Sequence, residues 1–234
     1  MRKHIALIGA VLLAARALGA QVQANRFDLG AHVGVQLFDR GTALKNSPFV
    51  GFDATHSVPW NPLASLVRGS LIGVSLRLDL SRPATRGDQF AAVAVDLGDT
   101  TFLYAVTQRV TLLQGGVEAV VGAPMGPLRV YGFAGTGVYS IVLDRRAGNA
   151  SRSFMHPMAS FGGGLRFPIT ERTSVRAQLR AVTFTKFDRE RLDAGTAYTH
   201  DPRFRDALPA ADATSPHPTN VQLSIAVQYN RRGR

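Results

Sequence analysis

The last apolar stretch of the chain, Val221-Gln222-Leu223-Ser224-Ile225-Ala226-Val227-Gln228-Tyr229, alternates apolar residues with Gln, Ser and Ala. A period of two is that of a β-strand with two different faces. The same alternation returns in Phe27 to Phe38, in Ser70 to Leu80 and in Ser174 to Phe187. Turn residues punctuate the rest, at Ser81 to Asp88 and in Ala123-Pro124-Met125-Gly126-Pro127. Between these marks the pattern predicts strands over Phe90 to Leu97, over Phe102 to Gly122 as one long returning strand or two short ones, over Leu128 to Leu143 and over Met158 to Phe167. The segment Asp39 to Arg68 holds Pro48, Pro59 and Pro62, residues that cannot donate to a ladder, and reads as a long loop, as do residues 188 to 218. About eight strands in sequence predict an all-β fold, a closed antiparallel up-and-down barrel.

Loop lengths suggest an orientation. The connections run long (39 to 68), short (81 to 88), brief (98 to 100), short (123 to 127), medium (144 to 157), short (168 to 172) and long (188 to 218). A membrane barrel with an even strand number has short turns on the side of its termini and longer loops on the other. The link at 98 to 100 is the one misfit to that scheme.

The N-terminus changes the compartment. Met1-Arg2-Lys3-His4, the apolar run Ile5 to Ala15 and the small residues around Ala17-Leu18-Gly19-Ala20 have the order of a secretory signal peptide. Cleavage after Gly19 or after Ala24 satisfies the small-residue rule, and Ala24 is preferred. The expected organisation is a signal peptide over 1–24 and a barrel over 25–234. Losing Arg2, Lys3 and Arg16 lowers the net charge from +11 by three, to +8. Without any Cys there is no disulfide framework and no thiolate metal site. Twenty-four of the 27 basic residues are Arg, but they are scattered among strands and loops, and export argues against a nucleic-acid partner. Phosphorylated lipid of an envelope is the better-placed anion.

Three segments also carry a resemblance: Gly115-Gly116-Val117-Glu118-Ala119, Val130-Tyr131-Gly132-Phe133-Ala134-Gly135-Thr136-Gly137-Val138-Tyr139 and Phe161-Gly162-Gly163-Gly164-Leu165-Arg166-Phe167-Pro168. They resemble strands of small OmpA-type and related outer-membrane β-barrel domains. The resemblance implies a bacterial outer-membrane location, outer-membrane lipid and the barrel assembly machinery as partners, and a monomer. Barrels of this type finish on an aromatic residue, whereas here Tyr229 is followed by Asn230-Arg231-Arg232-Gly233-Arg234.

A soluble lipocalin-like carrier would turn the apolar face inward around an apolar ligand, and a membrane barrel turns it outward. The aromatic residues near predicted strand ends (Phe27, Phe38, Phe167, Phe187 and Tyr229) and the loop asymmetry favour the membrane barrel. The opposite face carries Asp28, Arg77, Asp79, Glu118, Arg166, Arg176 and Arg180. In an eight-stranded lumen such charges are expected to pair as a structural plug, or else to line a very narrow path. His56-Ser57 and Thr199-His200-Asp201 resemble loosely the His and Ser pair of outer-membrane lipid A deacylases, but lie in segments read as loops with no third orienting group. Asp188, Glu190, Asp193, Asp201, Asp206 and Asp212 lack calcium-loop spacing and are interleaved with Arg189, Arg191, Arg203 and Arg205. Trp60, between Pro59 and Pro62, fits a loop anchor or a partner contact. The expectation is therefore a structural or interaction barrel with long surface loops, no catalytic residues, no metal and no cofactor. A soluble carrier and a lipid-modifying barrel enzyme are the alternatives.

Overall fold

A computed structural model describes residues 26–58, 63, 67, 70–86, 92–96, 101–105, 107–143, 153–192 and 216–232. Eight strands close into one antiparallel barrel: β1 (Arg26–Leu37), β2 (Ser47–Ser57), β3 (Leu71–Ser81), β6 (Val110–Met125), β7 (Leu128–Leu143), β8 (Ser153–Pro168), β9 (Thr173–Phe184) and β10 (Thr219–Arg232). Each pairs with its neighbour along the chain, and β1 closes on β10 with Leu29 opposite Tyr229 and Val33 opposite Ile225. A separate two-stranded ladder, β4 (Ala92–Asp96) with β5 (Thr101–Ala105), is inserted between β3 and β6.

Two expectations need correction here. The segment 39 to 68 is not one loop, since it contains β2, paired to β1 on one side and β3 on the other. Pro48 is tolerated because it is the second residue of β2, opposite Val35, one position before the β3 ladder begins at Phe49 and Ser81. Conversely, Phe90 to Leu97 supplies no barrel strand, for its core, β4, pairs only with β5. The total of eight survives because the missed strand replaces the misplaced one. The misfit to the loop scheme then moves: residues 38–46, 82–109, 144–152 and 185–218 join strands at one end, which we call outer, while residues 58–70, 126–127 and 169–172 join them at the end that holds Arg26 and Arg232, and there 58–70 is longer than the outer connections 38–46 and 144–152. The 81 to 88 segment, expected as a terminal-side turn, opens the second outer connection.

The turn expected over 123 to 127 is tighter than its composition suggests. Ala123, Pro124 and Met125 continue β6, and Gly126-Pro127 alone makes the link, with Met125 opposite Leu128 and Gly126 at φ 61°. A positive φ at the first central residue suits a two-residue hairpin loop, and glycine adopts it without steric cost.

Strand parity assigns the faces. Leu29, Val33, Val35, Val50, Phe52, Leu78, Phe161, Leu179, Leu223, Ile225 and Val227 are all exposed on the outside. Asp28, His32, Gln36, Asp53, Arg77, Asp79, Gln114, Glu118, Arg176, Arg180, Gln222 and Gln228 are buried within. The distribution is the inverse of a water-soluble protein's, where apolar side chains fill the interior. Close approach of neighbouring strands is met by glycine on the inner face: a Cβ on Gly137 would lie 2.1 Å from Gly115 O, so β6 and β7 come together only without one.

The buried apolar cluster is confined to the outer end. Val110 and Leu112 of β6, Tyr139, Ile141 and Leu143 of β7, Phe154 and Met158 of β8 and Val182 and Phe184 of β9 point into the mouth. Ala43 and Leu44 from the first outer loop and Phe187 and Leu192 from the fourth close over them. Tyr139 is the centre, with its ring stacked on Phe184 at 3.9 Å and its hydroxyl donating to the Lys186 carbonyl. Phe187 and Phe38, expected as interfacial aromatics, belong to this cap instead: Phe187 is buried in it and Phe38 packs against it. Phe27, Phe167 and Tyr229 do stand at the terminal-side edge of the outer face.

Candidate functional site

Below the cap the lumen is polar, because β1, β2, β3, β6, β8, β9 and β10 each bring alternate charged or amide side chains to the inside. All seven charged residues singled out from the sequence lie on this inner face. Arg180, among the most buried side chains of the molecule, is the hub. Its Nη1 donates to Asp79 Oδ2 at 2.9 Å and to Gln222 Oε1 at 3.2 Å, and its Nη2 lies 2.7 Å from Glu118 Oε1. Arg77, two residues before Asp79 on β3, donates from Nε to both Asp79 oxygens and from Nη1 to Gln178 on the opposite wall. Asp28 is held apart from this group, paired with Arg166 at 2.6 Å, whose Nε donates to Ser174 Oγ.

Two central members were not foreseen as site residues. Asp53, on the unrecognised β2, takes a two-pronged contact from Arg176, with Nη2 to Oδ1 at 2.5 Å and Nη1 to Oδ2 at 3.2 Å. His32 bridges Asp53 and Asp79, its Nδ1 3.2 Å from one and its Nε2 2.5 Å from the other. Its place on the polar side of the first strand was legible from parity alone. Above Arg180 a belt of amides crosses the lumen, Gln222 donating to Gln114 Oε1 at 2.8 Å and to Gln36 Oε1 at 3.2 Å.

The charge balance is close. Asp28, Asp53, Asp79 and Glu118 face Arg77, Arg166, Arg176 and Arg180, and every one of these acids has an Arg within 2.9 Å. Burying so many ions is sustained only by such mutual pairing, and removing a single member leaves its partner charged and desolvated. Arg guanidinium suits the task because its donors fork across two carboxylate oxygens and it retains its proton.

The other candidates fare differently. His56 and Ser57 lie on β2, not in a loop, and successive strand residues face opposite ways: His56 shares the outer face with Phe52, and Ser57 the inner face with Thr55. The two cannot form a nucleophile and base pair. Thr199, His200, Asp201, Trp60, Asp193, Asp206 and Asp212 and the signal segment 1–24 lie outside the described residues. Among the described residues no group of three His, Asp or Glu side chains could hold a metal ion. Asp188 instead makes a local contact at the outer rim, accepting from His156 Nε2 at 2.9 Å with Lys186 and Arg191 each at 3.5 Å.

That rim contact has a pH signature. The His156 hydrogen bond, aided by Lys186 and Arg191, holds the Asp188 carboxyl below its usual value. A lowered folded value means the contribution is present above the ordinary carboxylate range and lost as pH falls through the lower one. Protection of the amides at residues 186–191, their exchange relative to the unprotected rate at the same pH, is therefore expected to hold through neutral and mildly acidic pH and to fall only below about pH 4; Asp188→Asn should show the reduced protection at all pH. Loss of protection already near pH 6 would show that Asp188 is not the responsible group.

No family model matches the chain, and no curated protein matches it either. Solved structures do. Neisserial surface protein A is 11% identical, covering 88% of this chain and 96% of its own, with a TM-score of 0.46. The outer membrane protein OprG from Pseudomonas aeruginosa is 10% identical over 90% of this chain and 97% of its own, with a TM-score of 0.45. The outer membrane enzyme PagL is 12% identical over 85% and 97%, with a TM-score of 0.40. The chain is similar to these in being a small antiparallel barrel. Which residues do what in it rests on its own geometry.

Proposed function

We propose that this protein is an integral outer-membrane barrel with its lumen filled by side chains, acting through its wall and outer loops, without catalysis and without an open pore. The observation that carries this reading is the inversion of the sheet, apolar residues outward and paired charges inward. In water, the exposed belt from Leu29 to Val35 and from Leu223 to Val227 would cost roughly 25 cal/mol for each Å² of apolar surface left wet. In a bilayer the same belt faces hydrocarbon, and closure of β1 on β10 leaves no unpaired ladder edge. A soluble carrier would need the opposite arrangement, an apolar cavity within.

Two layers speak for a closed lumen. The ion network and the Gln36, Gln114 and Gln222 belt occupy its middle, and the Tyr139 cluster fills its outer mouth. Eight strands enclose little more than their own inward side chains. The outer connections, above all 82–109 and 185–218, are then the surfaces through which a partner would be met.

Fractionation, gel mobility and conductance test the reading together. The mature protein is expected to stay in the carbonate pellet, to migrate faster unboiled than boiled, and to give no stable current steps in a planar bilayer. Release by carbonate with identical boiled and unboiled mobility would sink the membrane assignment. A steady ohmic current from the wild-type chain would sink the closed lumen.

A further inference from the structure

The ion pairs of the lumen leave four polar ends over, and all four belong to side chains that wall one small space. Arg77 uses its Nε on Asp79 and its Nη1 on Gln178, so that its Nη2 has no partner. Arg176 directs both Nη atoms to Asp53, and its Nε is left. Asp28 meets Arg166 through Oδ2, and its Oδ1 is left. The Tyr131 hydroxyl is the fourth, on a ring whose centre stands 5.8 Å from the Arg176 guanidinium. Asp28, Arg77 and Arg176 are only 2%, 5% and 7% exposed, so bulk solvent does not meet these ends.

The space they share is a cavity of about 40 Å³ on the terminal side of Arg180, with Leu71 and Gly122, paired across β3 and β6, in its wall. Neither the Tyr139 cluster nor the Gln36, Gln114 and Gln222 belt contributes to that wall. Arg166 does, and it also lines a larger cavity at the terminal-side mouth. Buried polar ends are seldom left unpaired. Here Arg77, Arg176 and Tyr131 have protons to donate, while the Asp28 carboxylate oxygen only accepts, and they stand unbonded in one wall. What spans them must therefore both donate and accept. A halide ion accepts only and a cation cannot accept, whereas water does both. At about 10 to 15 Å³ for each molecule, the cavity has room for about three waters.

We infer that this cavity is an internal hydration site, holding about three water molecules that accept from Arg77 Nη2, Arg176 Nε and the Tyr131 hydroxyl and donate to Asp28 Oδ1. The waters tie the Asp28 and Arg166 pair, which side-chain contacts leave apart, to the Asp53 and Arg77 group, and make one network of the two. The lumen is then hydrated on its terminal side and dry at its outer mouth. The inference rests on the inward-polar reading of the sheet, which the carbonate and gel-mobility experiments decide without reference to hydration.

The test uses the full chain, isotope-labelled in its Arg side chains and refolded in zwitterionic micelles. Rotating-frame NMR is expected to show a direct Overhauser cross-peak between water and the Arg176 Nε–H, opposite in sign to chemical exchange. Bromide added at constant ionic strength should leave that N–H shift where it was. Absence of the cross-peak would overturn the site, and a saturable bromide shift would overturn it in favour of an anion. Gly122 supplies a second arm, because a Cβ there meets nothing nearer than 3.5 Å. Gly122→Val sets methyl groups where the waters sit; it should lose the cross-peak and unfold at lower urea concentration than Gly122→Ala, since the buried ends lose their partners. In a dry cavity the added methyls would gain contacts instead, so a midpoint for Gly122→Val at or above that of Gly122→Ala would overturn the inference. Heat-modifiable mobility checks that each variant has folded, and if Gly122→Val has not, the cross-peak of the parent chain decides alone.

Discussion

Arg180→Leu is expected to destabilise the barrel by about 3 to 5 kcal/mol in urea titrations of protein refolded into lipid vesicles. The cost does not fall evenly on its partners. Asp79 keeps Arg77 Nε at 2.9 Å and His32 Nε2 at 2.5 Å, so its charge stays compensated. Glu118 keeps the Ser160 hydroxyl at 2.8 Å but loses its ion pair with Arg180 and becomes a buried carboxylate without a direct salt bridge. The double variant Arg180→Leu/Glu118→Leu should therefore recover much of the loss, whereas Arg180→Leu/Asp79→Leu should recover none, because it frees Arg77 and His32 in turn. This contrast separates a pairing role from mere packing volume, which would make both double variants worse. A single Arg180→Leu that proved stabilising would mean that the network does not hold the lumen together.

The network also marks how far the sequence could be read. Strict alternation in β1, β3, β9 and β10 announced both the strands and their faces, so Asp28, His32, Arg77, Asp79, Arg176 and Arg180 could be assigned to one side before any partner was known. Pairing across the lumen was not legible, since it depends on the register of strands distant in the chain: Arg176 meets Asp53 across 123 positions and Arg77 meets Gln178 across 101. Asp53 was hidden for a different reason. Pro48 and Gly51 broke the look of β2, although Val50, Phe52 and Ala54 keep the outward rhythm, and Pro48 costs nothing at the one end where β3 offers no ladder. The outer cap was signalled by a local violation of the rule. Val182 and Phe184 are apolar at positions where the parity of Arg176 and Arg180 demands polar residues, as are Val110 and Leu112 relative to Gln114 and Glu118. A polar face that turns apolar toward one end of adjacent strands marks a dry mouth, and the period-two count alone passes over it. The β4 and β5 ladder could not be told from barrel strands by pattern, because short apolar runs give no information on which sheet they join.

Leu179→Arg, one residue from the hub, is expected to cost about 2 to 4 kcal/mol by the opposite mechanism. Leu179 is 54% exposed on the outer face, near the middle of β9, opposite Leu223 and Gly163 on the neighbouring strands. If that face meets lipid, a guanidinium there sits close to the bilayer midplane, too deep for even the long Arg side chain to carry it to water. Val175, four residues nearer the terminal-side end, is roughly 13 Å away along the strand and about 10 Å along the normal for a tilt near 40°. Val175→Arg should accordingly cost no more than about 1 kcal/mol, since its head reaches the interface. The difference between the two positions, more than either value, reports the solvent of the outer face. A soluble barrel gives no such depth dependence, because both arginines would be hydrated equally. Equal and small costs at Leu179 and Val175, measured by the same vesicle refolding, would show that the apolar belt does not face hydrocarbon and that the membrane reading of the sheet is wrong.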